Sequence, residues 1–194
     1  MPNPILIQLI RSRAKDSLIR RFIQSGCDLN ETNEMTGSTP LMEAIKCARV
    51  DIATFLICQG ADIHIRDNTC YRDTALSWAV YLGNAHLARI LLYQGADINL
   101  QTRYHGNTLL LWACKRQVYD IFVLLMRRYA DPTICSYQGE SVFAICNTSL
   151  YSSVLDEWKQ EMNVAVHVYM DRWSGKRPFE RGISKLVLSF LYPV

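Results

Sequence analysis

Histidine and cysteine are side chains that ligate metals or act as nucleophiles, so their spacing shows what chemistry this 194-residue chain could perform. The histidines are His64, His86, His105 and His167, and the cysteines are Cys27, Cys47, Cys58, Cys70, Cys114, Cys135 and Cys146. No cysteine–histidine pair has zinc-ligand spacing, and no Cys-x-x-Cys pair occurs. The nine glycines form no glycine-rich phosphate loop. We predict no catalytic residue, no metal site and no cofactor; an enzyme whose site is assembled from distant residues stays open.

Composition and charge describe an ordinary globular chain. It is 49% hydrophobic and 20% charged, and its length suits about one domain on the rough prior of 100–200 residues. Five basic and two acidic residues within 163–194 account for the whole net charge of +3, so residues 1–162 sum to zero. We therefore expect no general attraction of the bulk of the chain for nucleic acid or an anionic membrane.

Apolar stretches and cysteines predict where the protein resides. Apolar residues 5–10 precede Arg11 and Arg13, the reverse of the order in a secretory signal. Runs such as 121–126 are too short to span a bilayer. Seven cysteines without paired motifs suit a reducing compartment. We expect an intracellular, cytoplasmic monomer, with no membrane insertion and with mostly free, buried thiols.

Two motifs recur in register along the chain. The first, Gln-Gly-Ala-Asp-Ile-Asn at 94–99, has counterparts at 25–30, 59–64 and 128–132. The second, Gly-Ser-Thr-Pro-Leu-Met-Glu-Ala at 37–44, has counterparts at 72–79, 106–113 and 139–144. Its hydroxyl residues Thr39, Thr74, Thr108 and Ser141 are 35, 34 and 33 residues apart. A regular period of this length indicates a repeat architecture.

Local physical chemistry predicts helices between these motifs. Each hydroxyl of the second motif can cap a helix N-terminus, and Pro40 follows at the first helical position, where its missing N–H costs nothing. Gly26, Gly60 and Gly95 follow apolar helical runs, where a left-handed C-cap favours glycine. Each unit can bury its apolar face only against its neighbours, so the units share one elongated core.

The pattern resembles the ankyrin repeat over roughly residues 3–162. The resemblance implies a mainly α solenoid of about five helix-turn-helix units with β-hairpin or loop fingers, at approximately 3–33, 34–66, 67–100, 101–134 and 135–162. Met42, Ser77 and Leu111 replace a histidine that the family buries. Tyr129 replaces a C-cap glycine, and we expect a distorted turn there. Asn3 is expected to cap the first helix with Pro4 behind it, and the fifth unit has a weak first helix.

The resemblance also implies a protein partner, because ankyrin arrays usually bind with their fingertips and the exposed side of each unit's first helix. By register, the predicted partner-binding residues are Met35, Thr36, Ser38, Lys46, Tyr71, Asp73, Tyr81, Leu82, Tyr104, His105, Asn107, Lys115, Arg116, Tyr137, Gln138 and Glu140. Tyrosines along one concave face would bury much area while keeping polar tips. The alternative is that they only pack on neighbouring fingers.

Three further residues carry alternatives of their own. Trp78 and Trp112 share one repeat position, and they either line an aromatic cleft or, as we expect, pack between repeats. Asn99 is similar to the finger asparagine that an asparaginyl hydroxylase modifies in some ankyrin proteins. We favour instead an asparagine that stabilises its finger through hydrogen bonds to the backbone.

Residues 163–194 do not fit the repeat and form a C-terminal cap or extension, with an apolar helix expected at 183–192. We expect this helix to cover the last repeat. The alternatives are a docking motif faintly similar to part of an F-box, a secretion signal, or a short basic and aromatic nucleic-acid patch.

The sequence as a whole favours a non-catalytic module that binds another protein. Degenerate repeats suit an effector of an intracellular bacterium or a viral protein, either acting on a host protein in the host cytosol. The alternative function is a ubiquitin-ligase substrate adaptor that uses residues 178–194 as its second docking site.

Overall fold

The computed structural model describes residues 4–146 and 151–161. Its helices there are α1 (Ile5–Arg11), α2 (Asp16–Gln24), α3 (Pro40–Lys46), α4 (Val50–Cys58), α5 (Ala75–Tyr81), α6 (Ala85–Tyr93), α7 (Leu109–Lys115), α8 (Tyr119–Met126) and α9 (Val142–Ile145). Residues 151–161 are also helical. The predicted mainly α solenoid is confirmed, while the helix expected at 183–192 lies outside the described residues.

The helices stack in two layers that share one core. Helices α1, α3, α5, α7 and α9 contact one another in succession and form the inner layer, and α2, α4, α6 and α8 form the outer layer. Leu41, Leu76 and Leu110 of the inner layer are fully buried. The core continues without interruption from α1 to the helical residues 151–161, as stacked units without separate cores require.

The predicted helix caps are confirmed. Thr39, Thr74, Thr108 and Ser141 each accept a hydrogen bond of 3.2–3.3 Å from the backbone N–H three residues ahead. Gly26, Gly60 and Gly95 have φ between +87° and +89°, the left-handed region expected of a C-cap. The repeat therefore fixes the N-termini of the inner helices α3, α5, α7 and α9 and the C-termini of the outer helices α2, α4 and α6 through short-range chemistry.

Two local expectations differ from the structure. Tyr129 itself adopts φ +62°, and its N–H bonds the Met126 carbonyl at 3.0 Å, matching the Gly60 turn. The expected distortion is therefore wrong, because the hydrogen bonds of the helix end, which Ala130 N–H continues to the Leu125 carbonyl at 3.0 Å, hold Tyr129 in the left-handed conformation. Pro4 is the N-cap of α1, without a side-chain cap, rather than lying behind one; Asn3 lies outside the described residues.

The cysteines are less buried than predicted. Five are free: Cys58, Cys70 and Cys135 are exposed, and Cys27 and Cys47 are partly buried. Cys70 and Cys135 lie in loops and Cys58 ends α4, so none of these three faces the core. Cys114 and Cys146 are buried and form a disulfide, with Cα atoms 6.3 Å apart.

Four fingers connect the units and lie side by side. The fingers are residues 33–38, 67–73, 102–107 and 136–140, each closed by backbone hydrogen bonds of 2.9–3.0 Å between its ends. Neighbouring fingers are joined by bonds from Asn68 N–H to the Thr36 carbonyl (2.7 Å), from Arg103 to Tyr71 (3.1 Å) and from Tyr137 to His105 (3.0 Å). The fingers are loops in the described part of the chain, with one isolated bridge between Gln101 and Thr108. This backbone ladder fixes the spacing of the fingertips.

Candidate partner-binding cleft

A cleft of about 740 Å³ opens between the second and third fingers and helices α5 and α7. It is lined by Tyr71, Asp73, Trp78, Tyr81, Thr102, His105, Asn107, Trp112, Lys115, Arg116 and Val118. A volume in this range accommodates a small molecule or several side chains of a peptide, since ligand clefts are typically about 300–1,000 Å³.

Three aromatic rings run along the cleft from one repeat to the next. Tyr81 lies between Trp78, at 6.1 Å between ring centroids in an edge-to-face arrangement, and Trp112, at 4.7 Å. Both tryptophans are half-buried. The two tryptophans therefore pack between repeats through Tyr81, as expected from their shared register, and they also line the cleft.

A second aromatic group stands on the fingertips. Tyr71 contacts Tyr104 edge-to-face at 6.4 Å and His105 at 6.2 Å, and Tyr104 contacts His105 at 4.6 Å. Tyr104 is 68% exposed and Tyr71 is 41% exposed. These rings pack across fingers and still present aromatic surface to solvent.

Asp67 connects the second finger to the aromatic floor of the cleft, which consists of the rings of Trp78, Tyr81 and Trp112. Its side chain is fully buried. One carboxylate oxygen accepts hydrogen bonds from the N–H of Thr69 (3.1 Å), the hydroxyl of Thr69 (2.6 Å) and the N–H of Asp73 (3.0 Å). The other accepts from the Trp78 indole N–H at 3.1 Å. The Asp67 carboxylate thus holds the loop and orients the indole of Trp78. Both of its buried oxygens accept hydrogen bonds, as buried polar groups require.

Asp73 lies at the base of the same finger and is buried, at 3% exposure. The Tyr81 hydroxyl donates to it at 3.0 Å. Burial raises the pKa of Asp73 to about 6, an effect that the Tyr81 hydrogen bond opposes and the charge of Asp67 reinforces. Burial, followed by the charge of Asp73, raises the pKa of Tyr81 far above its ordinary value, so Tyr81 remains a hydrogen-bond donor.

Asp73→Asn is expected to flatten the dependence of stability on pH. A carboxyl whose pKa is raised in the folded state binds its proton more tightly in the folded protein than in the unfolded chain. The contribution of Asp73 to the free energy of unfolding therefore falls as pH rises from about 4 to about 6 and is constant above that. Asparagine keeps an acceptor for Tyr81 and never ionises. We expect the variant to be more stable than wild type by about 1–3 kcal/mol near neutral pH, a gain that disappears near pH 4.

The measurement is urea unfolding of both proteins at several pH values between about 4 and 8, compared as the difference between them. A difference that does not change with pH would show that Asp73 titrates as it does in the unfolded chain.

Cations surround the aromatic floor. Lys46 Nζ lies 4.0 Å from the centroid of Trp78 and donates to the Ser38 hydroxyl at 2.7 Å. Lys115 forms an ion pair with Glu140. The Arg116 guanidinium lies 5.9 Å from the centroid of Trp112. The positive groups at the cleft are thus attached to its aromatic rings or to its rim.

Seven of the sixteen predicted partner-binding residues line this cleft: Tyr71, Asp73, Tyr81, His105, Asn107, Lys115 and Arg116. Among all sixteen, the exposed residues are Met35, Tyr71, Leu82, Tyr104, Lys115, Arg116, Tyr137 and Gln138, and the half-buried ones are Thr36, Lys46, Tyr81, His105, Asn107 and Glu140. Ser38 and Asp73 are buried. This differs from the expectation that both meet a partner at the tips, because their side chains bond Lys46 and Tyr81 instead.

Sequence reasoning missed several cleft residues. Trp78 and Trp112 were expected mainly to pack between repeats, and their shared register was the signal that could have placed them here. Thr102, Val118 and the supporting Asp67 carry no distinctive motif. Their places depend on how the finger folds against α5 and α7.

Asn99 bonds to the next unit. Its side-chain oxygen accepts a hydrogen bond from the Asp131 N–H at 2.9 Å, as Asn30 does from Asp62 at 2.8 Å. This is the kind of side chain–backbone bond that the structural alternative to hydroxylation predicts.

Residues 4–146 and 151–161 contain neither a candidate metal site nor a candidate membrane-spanning helix. No group of three or more His, Cys, Asp or Glu side chains there could hold a metal ion. No helix in that part of the chain is both long and apolar enough to cross a bilayer.

The stacked helix pairs, their fingers and the cleft between them define a repeat protein of the solenoid class. The chain belongs to the ankyrin repeat family: the family's model, which describes three copies of the repeat, matches residues 5–67 and 68–136. Repeats of this family are generally protein–protein interaction modules.

Two relatives show how far the similarity extends. The chain is 37% identical over 60 residues to the 2-5A-dependent ribonuclease of Mus musculus, covering 30% of this chain and 8% of the ribonuclease. It is 30% identical over 67 residues to an ankyrin repeat protein of fowlpox virus (strain NVSL), covering 34% of this chain and 36% of the viral protein. The matched segments thus span well under half of either relative, and the similarity is one of repeats.

Proposed function

We propose that this ankyrin repeat protein binds a partner protein, without catalysis, through its fingertips and the adjoining cleft. The observation that carries the proposal is the cluster of exposed Tyr71 and Tyr104 with half-buried His105, which continues into a cleft floored by Tyr81 and Trp112. Contiguous aromatic surface that a chain leaves exposed marks an interaction site, and tyrosine and tryptophan dominate interface hot spots.

Preorganisation gives the surface its affinity. The backbone bond from Arg103 to Tyr71 fixes two fingertips relative to each other, and the Asp73 carboxylate holds the hydroxyl of Tyr81. A partner that covers these rings gains apolar burial without paying the full entropy of ordering them. Neighbouring polar groups, such as Asn107, then determine which partner fits.

One of the two relatives supports a finer proposal about the setting. Similarity to a protein of fowlpox virus supports a pathogen protein that acts on a host protein in the host cytosol. A ubiquitin-ligase adaptor would use residues 178–194, which lie outside the described residues. Deleting residues 170–194 distinguishes an adaptor from a C-terminal cap. If the segment is a docking site, the deleted protein loses one partner and its repeat array stays folded. If the segment is a cap, the deletion destabilises the array.

The double variant Tyr71→Ala/Tyr104→Ala is expected to lose at least about nine-tenths of partner capture, since hot-spot aromatics each contribute roughly 2 kcal/mol or more. Tyr93→Ala is the matched control, because Tyr93 is 79% exposed on the outer helix α6. The measurement is capture of host-cell proteins on each immobilised variant, quantified by mass spectrometry, after thermal melts show that all variants fold alike. A partner that is retained by the double variant and lost by Tyr93→Ala would move the site to the outer helices.

A further inference from the structure

We propose that the cleft recognises an extended acidic segment of its partner, in which an aromatic or aliphatic side chain is flanked by aspartate or glutamate. The inference rests on the proposed function, that this face binds a protein, and adds the chemistry of what is bound. Three observations carry it: the sign of the charge at the cleft, the way in which its acidic groups are already bonded, and the packing of its rings.

Two cations, Lys115 and Arg116, line the cleft with the buried carboxylate of Asp73. Lys115 is paired with Glu140, so Arg116 is the lining cation that a partner can meet. Arg116 is exposed and forms no ion pair within the described part of the chain. Arg72 and Arg103 are exposed on the adjoining fingertips and are likewise unpaired there. The rim therefore offers cations to a partner.

The acidic groups near the cleft are already bonded within the chain. Asp67 is fully buried and accepts from Thr69, Asp73 and Trp78. Asp73 is buried and accepts from Tyr81. Glu140 pairs with Lys115. These carboxylates are buried or paired, whereas Arg72, Arg103 and Arg116 are exposed. The charge that a partner meets at the surface of the cleft is therefore mainly positive and favours an acidic segment.

The packing of the rings favours an apolar side chain over a stacked base. A single-stranded nucleic acid would use free ring faces as stacking platforms. Here Lys46 lies over Trp78, while Trp112 contacts both Tyr81 and Arg116. These contacts occupy ring surface that a base would need. The cleft as a whole, with Tyr71 and Trp112 among its lining residues, is large enough for an inserted aromatic or aliphatic side chain, with carboxylates reaching the rim.

The test is selection of peptides from a random-sequence display library on the full immobilised chain, followed by fluorescence polarisation with the selected peptides. We expect enriched sequences to combine acidic residues with an aromatic or aliphatic residue. Arg116→Glu is expected to weaken their binding roughly tenfold or more, since reversing a charge at an interface replaces attraction with repulsion. Arg116→Gln should weaken binding less. Arg89→Glu on the exposed side of α6 is the matched control and should change binding little.

Defined outcomes overturn the proposal. Enriched peptides that are basic or neutral, or an effect of Arg116→Glu no larger than that of Arg89→Glu, contradict the acidic specificity. A single-stranded oligothymidylate that displaces the selected peptides would assign the cleft to nucleic acid. If no peptide is enriched while Tyr71→Ala/Tyr104→Ala still abolishes capture of a cellular protein, the acidic segment is wrong and the proposed function stands. If that double variant leaves capture intact, the proposed function itself fails.

Discussion

Asp67→Ala is expected to lower the free energy of unfolding by about 3–4 kcal/mol, because it leaves buried donors unsatisfied at about 1–3 kcal/mol each. The donors are the backbone N–H groups of Thr69 and Asp73 and the indole N–H of Trp78. The Thr69 hydroxyl can rotate to another acceptor, and removing the charge of Asp67 relieves some repulsion on Asp73. Both effects keep the loss below the sum of the separate bonds.

Asp67→Asn is the matched variant that separates the two tasks of this side chain. The oxygen that accepts from Thr69 and Asp73 can be kept as the amide oxygen, whereas the oxygen that accepts from Trp78 becomes an NH2 group, which cannot accept. We expect a loss of about 1–2 kcal/mol for this variant, with the finger intact and the indole released.

The measurement is urea unfolding of both variants, together with the fluorescence of the tryptophans in the native state. Asp67→Ala should also lower the melting temperature by roughly 10 °C, on the scale of about 2–4 °C per kcal/mol for a domain of this size. Equal losses for the two variants would assign the whole effect to Trp78. A loss below about 1 kcal/mol for Asp67→Ala would show that water replaces the carboxylate.

The sequence predicts the helices well because local chemistry determines their ends. Thr39, Thr74 and Thr108 cap the N-termini, and Gly60 and Gly95 take the left-handed turn, as the repeat requires. These interactions span a few residues and recur, so one sequence displays them several times. The same register predicts that the fingertip tyrosines lie on one face, and Tyr71 and Tyr104 are in ring contact across two fingers.

The details of the cleft could not be predicted in the same way. Asp67 and Trp78 are eleven residues apart, and their bond depends on how a finger folds back over its own helix. The burial of Asp73 likewise follows from that fold. Tyr129 shows the converse limit: its residue type disfavours a left-handed turn, yet the surrounding helix end imposes one. Tertiary context decides such positions, and a repeat pattern carries little of it.

Gly37 packs against the backbone of the finger ladder. Its φ is +65°, and a Cβ there would lie 2.6 Å from the backbone nitrogen of Asn68. The N–H of that nitrogen donates to the Thr36 carbonyl at 2.7 Å and joins the first two fingers. A methyl group therefore meets backbone that cannot rotate away, and the fingers must separate to admit it.

Gly37→Ala is expected to destabilise the protein by about 3 kcal/mol, combining roughly 1 kcal/mol for a left-handed alanine with about 2 kcal/mol for overpacking. Gly60→Ala and Gly95→Ala are matched controls, because their φ values are +87° and +89° and no atom lies within 4 Å of the added Cβ. They should lose about 1 kcal/mol each.

Hydrogen exchange at the Asn68 amide distinguishes a broken ladder from general loss of stability. Gly37→Ala should accelerate this exchange beyond what its global stability explains, whereas the two control variants should not. If all three glycine variants lose the same stability and protect Asn68 equally, the first two fingers separate at little cost. The spacing of the first two fingertips would then adapt to a partner. Tyr71 and Tyr104, on the second and third fingers, would still be held by the backbone bond from Arg103 to Tyr71 and by their own ring contact.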